Sequence, residues 1–491
     1  MKIKKLFSDY NGLDTEIKGL STNSKSVKPG DLFICIKGAK IDRHDFIDEA
    51  IKNGAVALVT SKDVNVNVPY IKVDDVNAIY EDLYRKFYDN PQDKLTLIGI
   101  TGTDGKTSTT TIIQELLGND ICGYIGTNGY ACYKFNRETD NTTPGIESMY
   151  RILAEFASAG CKYVAMETSS EAFYYGRLKN FHFTVGGLTN IDKEHLNTHK
   201  TLENYISCKK MLFKQSDISI LNKNDKHFLD VSLDLNNYKT YGYTNDCDLY
   251  IKSFNVEPDK TDISFIYLDK QYDIVSPLLG NFNIENLACG LLTCLSLGFD
   301  INDLLKNLDK LKIDGRMTSI NLGQDFYVLV DYAHTPNGLT RLFEFTNKLN
   351  VNKKIVVTGN AGERDASKRK YVGKLCSDNN DHVIFTYEDP RFEDPYNVVK
   401  DLCELIQDKT NYETVIDRQE AIEKAINMAG PKDLVMILGK GSEDWQEIKG
   451  EFIEFNDVEK AKEAIEKRLN KRWCSHHLLL SLSLISVIFL V

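Results

Sequence analysis

The stretch from Ile98 to Thr110, IGITGTDGKTSTT, combines glycines, a lysine and hydroxyl residues in the order that a phosphate-binding loop requires. Gly102 and Gly105 allow backbone N–H groups to turn toward an anion, Lys106 supplies a positive charge, and Thr107 is placed to ligate Mg²⁺. The spacing differs from the common G-x-x-x-x-G-K-[ST] loop, because an isoleucine stands where the first glycine is expected. The alternative is an ordinary strand-to-helix turn that carries a solvated lysine.

The flanking sequence favours a nucleotide loop. Leu95–Ile100 is a short apolar run of strand type, and glycine follows it. After the lysine, apolar residues recur at helical spacing until Gly118 ends the run. Strand, glycine loop and helix in this order predict a site that binds a nucleotide phosphate.

Three further residues are candidates for chemistry next to this loop. Glu167 follows the apolar run YVAM, and a carboxylate at a strand end beside a phosphate loop is a typical Mg²⁺ ligand, although such residues are also often solvated. His195 alone is a weaker candidate, because an isolated histidine is more often a surface or satisfied core residue than a ligand. Lys209 alone is typical of a solvated helix face.

The composition bounds the class of protein. A chain of 491 residues suggests three domains of roughly 150 residues each. The net charge of −11, without a block of Lys and Arg, argues against nucleic acid as the main partner. Eleven scattered cysteines with no C-x-x-C pair indicate reduced thiols in a cytosolic protein.

The C-terminal run from Leu478 to Val491 is apolar and uncharged. It is shorter than the roughly 20 residues that a membrane-spanning helix needs. A tail anchor that contacts the membrane and an altered reading frame are both open interpretations, and the N-terminus has no signal-peptide pattern.

Apolar runs and polar loops alternate as β and α elements along nearly the whole chain, which predicts an α/β fold in layers. In parallel sheets, ligands bind beyond the carboxyl ends of the strands. The polar loops that follow these runs are therefore the places where we expect chemistry.

A set of motifs runs in a fixed order from Thr101 to Glu443: TGTDGKT, NTTPG, METSSEA, TNIDKEHLNTH, GNFNIENLA, GRM, DYAHTPNGL, GNAGERDASKR, EDPRFEDP and GKGSE. With these motifs the chain resembles the Mur ligases, and most closely the MurE branch, the UDP-N-acetylmuramoyl-tripeptide synthetases. The N-terminal stretch TNSKSVKPGDLFICIKG also resembles the uridine-binding domain of that branch. TGTxGKT is the family's form of the phosphate loop, with Asp104 where Asn is usual.

The resemblance implies three α/β domains and a tail. These are a UDP-sugar-binding domain over residues 1–93, a central ATPase-type parallel sheet over 94–312, a Rossmann-like amino-acid-binding domain over 313–470, and an apolar tail of unknown role over 471–491. It also implies a cytoplasmic monomer in which domain closure excludes water from the reaction.

The resemblance implies an ATP- and Mg²⁺-dependent ligase in peptidoglycan precursor synthesis. The carboxylate of UDP-MurNAc-L-Ala-D-Glu takes the γ-phosphate of ATP, and the amine of an amino acid displaces phosphate from the acyl phosphate. The catalytic group would be Lys106, Glu167, His195 and Lys209. The metal ligands would be Thr107, Glu167, His195 and Lys209 as a carbamate. The nucleotide contacts would be Gly102, Thr103, Gly105, Lys106, Thr107, Ser108, Asn283, Asn286, Arg316, Asp331 and His334.

Substrate contacts also follow from the resemblance. Ser24 and His44 match contacts to the uridine nucleotide. Contacts to the sugar-peptide part match Thr142, Thr143, Ser169 and Arg177.

The amino acid that is added is expected to be meso-diaminopimelate. Diaminopimelate-adding enzymes present an arginine in a D-N-P-R motif, and the matching stretch here is Glu388, Asp389, Pro390 and Arg391. A planar guanidinium suits the distal carboxylate, which L-lysine lacks. Gly439 and Glu443 match further contacts to diaminopimelate, and Arg364 would meet its other carboxylate.

Departures from the family pattern leave alternatives open. Glu388, Asp389, Glu171, Ser442 and Asp104 each replace the usual residue. The chain could therefore add L-lysine, or it could be a paralogous amide ligase with another substrate. A folate-type polyglutamate ligase and a non-catalytic nucleotide-binding scaffold are further alternatives. The N-terminal stretch that resembles a uridine-binding domain argues against the folate-type ligase. The intact set of Lys106, Glu167, His195 and Lys209 argues against the scaffold.

Overall fold

The computed structural model describes residues 1–38, 41–311, 317–441 and 443–471. The predictions for Arg316, for Ser442 and for the tail from Leu478 to Val491 lie outside these ranges. The chain forms two compact units, and each is described by itself. Unit 1 is Met1–Lys239 with Ser296–Gly298, and unit 2 is Thr240–Leu295 with Phe299–Val491.

Unit 1 begins with a small parallel sheet in the order β1-β2-β3-β4. The middle strands are buried on both faces, as expected for continuous apolar runs such as DLFI and ALVT. The strands are β1 (Gly19–Ser21), β2 (Asp31–Ile34), β3 (Ala57–Thr60) and β4 (Tyr70–Lys72). The helices are α1 (Ile3–Leu6), α2 (Ile47–Lys52) and α3 (Val76–Phe87), with 3₁₀ turns at Ser24–Ser26, Arg43–Phe46 and Pro91–Lys94.

The larger sheet of unit 1 carries the phosphate loop on its central strand. Its strands are β5 (Thr96–Thr101), β6 (Cys122–Gly126), β7 (Gly129–Cys132), β8 (Phe135–Arg137), β9 (Tyr163–Glu167), β10 (Phe183–Leu188) and β11 (Ser216–Asn222). Their order is β11-β10-β5-β9-β6-β7-β8. The pairs from β11 to β6 are parallel, and the two pairs beyond β6 are antiparallel. The carboxyl ends of β5, β9 and β10 therefore meet at one edge.

Helices cover this sheet and share a core with the first sheet, in which Phe156 and Leu212 are buried. They are α4 (Lys106–Leu117), α5 (Ile146–Ala159), α6 (Ser170–Tyr174), α7 (Leu196–His199), α8 (Leu202–Lys214) and α9 (Phe228–Ser232). The predicted strand, loop and helix at the phosphate site are confirmed, with Gly118 as the C-cap of α4.

Unit 2 starts with an antiparallel meander and two helices. β12 (Tyr238–Gly242) begins in unit 1 and ends in unit 2, and its last residues pair parallel with β13 (Leu249–Val256). The antiparallel meander consists of β13, β14 (Thr261–Tyr267) and β15 (Lys270–Ser276). The helices are α10 (Asn281–Ser296) and α11 (Ile301–Leu305), and a 3₁₀ turn follows at Leu308–Lys310.

The rest of unit 2 is a six-stranded sheet with helices on both faces. The strands are β16 (Thr318–Ser319), β17 (Tyr327–Asp331), β18 (Lys354–Thr358), β19 (His382–Phe385), β20 (Tyr412–Thr414) and β21 (Leu434–Leu438). Their order is β16-β17-β21-β18-β19-β20, and only β16 runs antiparallel to its neighbour.

The helices of this part are α12 (Pro336–Thr346), α13 (Arg369–Asn379), α14 (Pro395–Cys403) and α15 (Arg418–Met428), with a 3₁₀ turn at Ala366–Lys368. A hairpin of β22 (Trp445–Ile448) and β23 (Glu451–Glu454) precedes a last helix over 457–471. Alternate strand residues face opposite cores: Val330 belongs to one cluster and Leu329 to the other. Among the described residues, no helix has the length and apolarity to cross a membrane.

Candidate active site

The phosphate loop is held in shape by its own residues and by the loop after β10. Gly105, the N-cap of α4, has φ 80°, a conformation that favours glycine. Asn190 Oδ1 accepts from the backbone N–H of Asp104 at 2.9 Å, and the side chain of Asp104 is exposed. Thr103 Oγ1 donates to the carbonyl of Asp192 at 3.2 Å. Thr107 and Ser108 lie in the first turn of α4, where the helix dipole favours an anion.

Lys106 folds back onto the loop. Its Nζ donates to the carbonyl oxygens of Gly102 and Thr103 at 2.9 and 2.8 Å. The ammonium therefore lies at the mouth of the loop, close to the backbone groups that would cradle a phosphate.

Lys209 on α8 reaches the same carbonyl. Its Nζ donates to Gly102 O at 2.6 Å, and the side chain is only 1% exposed. The ring of Tyr205 lies 4.5 Å below Nζ. Burial, together with the charge of Lys106, lowers the pKa of Lys209 well below its usual range. The interpretation of Lys209 as a solvated surface lysine is wrong.

Glu167 ends β9 as a fully buried carboxylate. Oε1 accepts hydrogen bonds from Tyr124 Oη and from the backbone N–H of Thr127, each at 2.9 Å. Oε2 accepts a longer one from Thr127 Oγ1 at 3.3 Å. Because Glu167 is buried, the interpretation of a solvated loop residue is excluded.

His195 sits at the start of α7 with φ 53°. Its side chain is 44% exposed and lies between two carboxylates, with Nδ1 4.0 Å from Glu171 and Nε2 3.6 Å from Glu194. Glu171, one of the departures from the family pattern, also accepts from Thr198 Oγ1 at 2.9 Å. Glu171, which departs from the family motif, therefore lies next to His195, the candidate metal ligand.

The candidate contacts to the sugar-peptide part form one hydrogen-bonded group. Thr143 Oγ1 donates to the carbonyl of Glu167 at 2.9 Å and lies 3.1 Å from Ser169 Oγ. Arg177 Nη1 donates to the carbonyl of Thr143 at 2.9 Å. Thr142 Oγ1 lies 3.1 Å from Thr127 Oγ1, which itself contacts Glu167. The structure therefore brings all four predicted residues together at the end of β9, around the backbone of Glu167 and around Thr127.

The two candidate uridine contacts lie in the first sheet's loops. Ser24 Oγ donates to Glu49 Oε2 at 2.6 Å. His44 Nε2 accepts from the backbone N–H of Ser61 at 3.1 Å, so Nδ1 carries the proton and donates to Asp42. The hydrogen bond from Lys62, together with His44, holds the pKa of Asp42 well below its usual range. His44 is thereby fixed in one tautomer and orientation.

In unit 2 the predicted nucleotide residues are largely buried. Asn283 Nδ2 donates to the carbonyl of Leu279 at 2.8 Å, and Asn286 Nδ2 donates to Asn283 Oδ1 at 3.1 Å. Asp331, at the end of β17, accepts from the backbone N–H groups of Met317 and Ala333 at 2.8 Å each. His334 Nδ1 lies 2.9 Å from the carbonyl of Tyr332.

The predicted specificity loop follows β19. Asp389 Oδ1 accepts from Lys440 Nζ at 2.9 Å. Arg391 has φ 53°, and its Nε lies 3.0 Å from Glu447 Oε2. The side chain of Arg391 is 19% exposed, so the interpretation of a solvated loop residue is wrong. Pro390 is buried and separates the two charged residues.

Glu388 is buried against the loop that follows β21. Two features of position 439 favour glycine. A Cβ there would lie 2.0 Å from Glu388 Oε1, and the backbone φ of 115° is rare for residues with a side chain. Burial raises the pKa of Glu388 to about 7. The positive charges of Arg418 and Lys440 act to lower this pKa, and the negative charges of Asp389 and Asp457 act to raise it.

Lys440 links the remaining residues of this group. Its Nζ donates to Glu443 Oε2 at 2.8 Å as well as to Asp389, and Tyr332 Oη donates to Glu443 Oε1 at 3.3 Å. The loops after β17, β19 and β21 therefore meet at one edge of the sheet. Arg364 is exposed, and its predicted contact to a carboxylate stays a prediction.

Several residues of these sites were not predicted from the sequence. Tyr124, Thr127 and Tyr205 surround the candidate metal ligands, and Lys440 and Glu447 hold the specificity loop. Lys440 stood inside the GKGSE motif, so its spacing could have indicated it. Tyr205 precedes Lys209 by one helical turn on α8, so helical spacing could have indicated it as well. Tyr124, Thr127 and Glu447 contact residues at least 40 positions away, and their types alone give no signal.

The donor types around the phosphate loop suit a hard cation. A threonine hydroxyl, a carboxylate and an imidazole are the groups that the sequence proposed, and oxygen donors are those that Mg²⁺ prefers. Within the described ranges, however, no three His, Cys, Asp or Glu side chains are close enough to share a metal ion.

Comparisons with known proteins agree along most of the chain. Three family models match: "Mur ligase family, catalytic domain" over residues 16–91, "Mur ligase middle domain" over 100–294 and "Mur ligase, glutamate ligase domain" over 315–441.

Among curated relatives, the UDP-N-acetylmuramoyl-L-alanyl-D-glutamate–2,6-diaminopimelate ligase of Aquifex aeolicus is 34% identical over 464 residues, which is 94% of this chain and 96% of that protein. The UDP-N-acetylmuramoyl-L-alanyl-D-glutamate–2,6-diaminopimelate ligase 1 of Clostridium acetobutylicum is 34% identical over 481 residues. This match covers 95% of this chain and 100% of that protein.

A solved structure of a UDP-N-acetylmuramoyl-L-alanyl-D-glutamate–2,6-diaminopimelate ligase aligns with a TM-score of 0.72 at 27% identity and covers 95% of this chain and 99% of its own. The MurF ligase of Thermotoga maritima, solved with ADP, shares the fold with a TM-score of 0.60 at 21% identity, covering 94% of this chain and 100% of its own. On these matches and on the site just described, the chain belongs to the Mur ligase family, whose members are ATP-dependent ligases that form amide bonds.

Proposed function

We propose that this chain adds meso-diaminopimelate to UDP-MurNAc-L-Ala-D-Glu, with ATP as the energy source, in peptidoglycan precursor synthesis. The observation that carries the choice of amino acid is Arg391, a poorly exposed guanidinium in the loop after β19, where its Nε lies 3.0 Å from Glu447 Oε2. A distal carboxylate on the donor would pair with this cation, whereas L-lysine would bring a second cation to it. The names of the relatives support the same substrate.

In the first step, a carboxylate oxygen of the dipeptide attacks the γ-phosphorus of ATP, ADP leaves, and an acyl phosphate forms. Lys106 at the mouth of the phosphate loop would bind the β- and γ-phosphates, and the N-terminus of α4 would stabilise their charge. Asn283, Asn286, Asp331 and His334 of unit 2 match the residues that bind the rest of the nucleotide in the family.

Mg²⁺, when bound, neutralises charge as two anionic groups approach each other. Thr107, Glu167, His195 and Lys209 as a carbamate would hold it. Lys209 suits this role because burial lowers the pKa of its amine, and the unprotonated amine is the form that attacks carbon dioxide. The carbamate would supply an anionic ligand at this position.

In the second step, the donor's amine attacks the acyl carbon, phosphate leaves, and the amide nitrogen loses a proton. Thr142, Thr143, Ser169 and Arg177 would hold the dipeptide near the carboxylate of Glu167. Ser24 and His44 would hold the uridine nucleotide. These contacts contribute mainly proximity and orientation, for which several kcal/mol is a typical order of magnitude.

The experiment is phosphate release from ATP by the purified chain, with the dipeptide nucleotide and meso-diaminopimelate each supplied or omitted. We expect release only when both are present, together with a product heavier than the nucleotide by one diaminopimelate less water. Release with a folate acceptor would indicate another ligase of the same fold, and no release with any donor would indicate a scaffold. Either result would contradict the proposal.

A further inference from the structure

The hairpin β22–β23 lies against the specificity loop and holds its backbone. Gln446 Nε2 donates to the carbonyl of Glu388 at 2.8 Å, and the backbone N–H of Glu447 donates to Asp389 Oδ1 at 3.1 Å. Arg391 N–H donates to the carbonyl of Glu447 at 3.0 Å, and Lys449 N–H donates to the carbonyl of Arg391 at 2.8 Å. The loop is thus attached to the hairpin at three of its residues.

The conformation of Arg391 depends on these contacts. Its φ of 53° is sparsely populated for a residue with a side chain. Such a conformation persists only when surrounding contacts determine it, and it is a common feature of ligand-binding sites. The hairpin contacts on both sides of the Arg391 peptide supply this constraint and fix the direction in which its side chain leaves the backbone.

Glu447 adds a contact to the guanidinium itself. Its Oε2 lies 3.0 Å from Arg391 Nε, an ion pair by distance that lacks the angles of a hydrogen bond, and both side chains are about one-fifth exposed, at 20% and 19%. Within the described ranges, the ion pair involves Nε and leaves the two terminal nitrogens of the guanidinium without a protein acceptor. Those nitrogens form the end of the planar fork that grips a carboxylate with two parallel hydrogen bonds.

We propose that Glu447 is a positioning residue for the amine donor: it holds Arg391 by Nε so that the terminal nitrogens face the donor's distal carboxylate. This inference rests on the proposed function. Glu447 neutralises part of the charge of a half-enclosed guanidinium and restricts a side chain that would otherwise sample many rotamers. A pre-ordered guanidinium binds its partner at a smaller entropic cost than a mobile one.

The role predicts a selective kinetic effect. Without the Glu447 carboxylate, Arg391 remains but is no longer held, so the KM for meso-diaminopimelate should rise roughly tenfold in Glu447→Ala, as expected for one partly exposed charged contact. Glu447→Gln keeps the shape and one oxygen acceptor, so its KM should lie between those of the wild type and Glu447→Ala. The KM for ATP should stay within roughly twofold, because the change concerns the donor alone.

The matched control is Glu451→Gln, an exposed carboxylate on β23 of the same hairpin, which should leave both constants unchanged. The decisive comparison is a double-mutant cycle with Arg391→Ala. If Glu447 acts through Arg391, then adding Glu447→Ala to Arg391→Ala should raise the KM for the donor no further.

Three outcomes would overturn the positioning role: an unchanged donor KM in Glu447→Ala, a lowered one that marks Glu447 as a competitor of the substrate, or additive effects in the cycle. In each of these the wild type still uses meso-diaminopimelate, so the proposed function stands. Wild-type turnover of L-lysine but not of meso-diaminopimelate would contradict the proposed function and, because L-lysine has no distal carboxylate, the positioning role with it.

Discussion

At the scale of single residues, the environment of Lys209 carries the strongest prediction. It is a fully buried amine whose ammonium contacts one carbonyl oxygen and one aromatic ring. A buried lysine without a carboxylate partner costs stability unless its charge state or its chemistry changes. The proposed carbamylation would place an anion beside the phosphate loop instead.

We therefore expect Lys209→Ala to lower turnover by at least roughly a hundredfold, because the metal site loses a ligand. Added bicarbonate should not restore the activity. The matched control is Lys214→Ala, an exposed lysine on the same helix, which should retain full activity. A second readout is the carbamate carbon signal of the wild type in ¹³C-labelled bicarbonate; an equal signal in Lys209→Ala would contradict the assignment.

Glu388 gives a prediction about pH. Its pKa is raised from 4.5 to about 7 because burial disfavours the charged form. A folded protein that binds this proton more tightly than the unfolded chain loses stability as the pH rises from about 4.5 to about 7. The shift corresponds to about 3 kcal/mol in total, an order of magnitude for a fully buried group.

Urea unfolding of the wild type at about pH 5 and about pH 8, compared with Glu388→Gln, measures this contribution. The neutral variant should lose less stability over that range than the wild type does. Glu454→Gln, an exposed carboxylate, is the control and should follow the wild type. Parallel pH profiles for the wild type and Glu388→Gln would contradict the assignment.

At the scale of elements, the sequence predicted much of the framework. The run LTLIGI, the glycines and the helical spacing after Lys106 gave β5, the loop and α4 to within a residue or two. Local patterns suffice there because each element is specified by neighbouring residues. The hairpin β22–β23 was not predicted, and its link from Glu447 N–H to Asp389 spans 58 residues in sequence. Contacts of that kind depend on the strand order of the sheet, which periodicity does not reveal.

One buried ion pair joins α15 to the last helix. Arg418 donates from Nε and Nη2 to the two carboxylate oxygens of Asp457 at 2.7 and 2.6 Å, and both side chains are fully buried. Removing one partner leaves a buried charge without its counter-ion, which typically costs about 3–5 kcal/mol.

We expect Asp457→Ala to destabilise the protein by this amount in urea unfolding. The control is Lys424→Met, which breaks an exposed pair with Glu413 and should cost about 1 kcal/mol or less. A loss below about 1 kcal/mol in Asp457→Ala would show that the interior relaxes around Arg418, contrary to expectation.

At the scale of the whole molecule, family membership was predicted correctly from ordered motifs, and the comparisons confirm it. The boundaries at residues 93, 312 and 470 stay predictions. In unit 1 the first two predicted domains share buried polar contacts: Glu81 on α3 accepts from Tyr150 at 3.0 Å and from Asn180 at 2.7 Å. Motifs in the sequence identify the sites. They do not reveal hydrogen bonds between distant residues, such as those of Glu81, that join neighbouring domains.

The central claim concerns the donor, and a competition assay tests it most directly. The chain is supplied with ATP, the dipeptide nucleotide, and equal concentrations of meso-diaminopimelate and L-lysine, and the two tripeptide products are quantified by mass. The product ratio equals the ratio of kcat/KM for the two donors. One charge-assisted contact to Arg391 predicts a preference for meso-diaminopimelate of roughly 30- to 150-fold. Equal products, or an excess of the lysine product, would contradict the assignment of Arg391 as the residue that selects the donor.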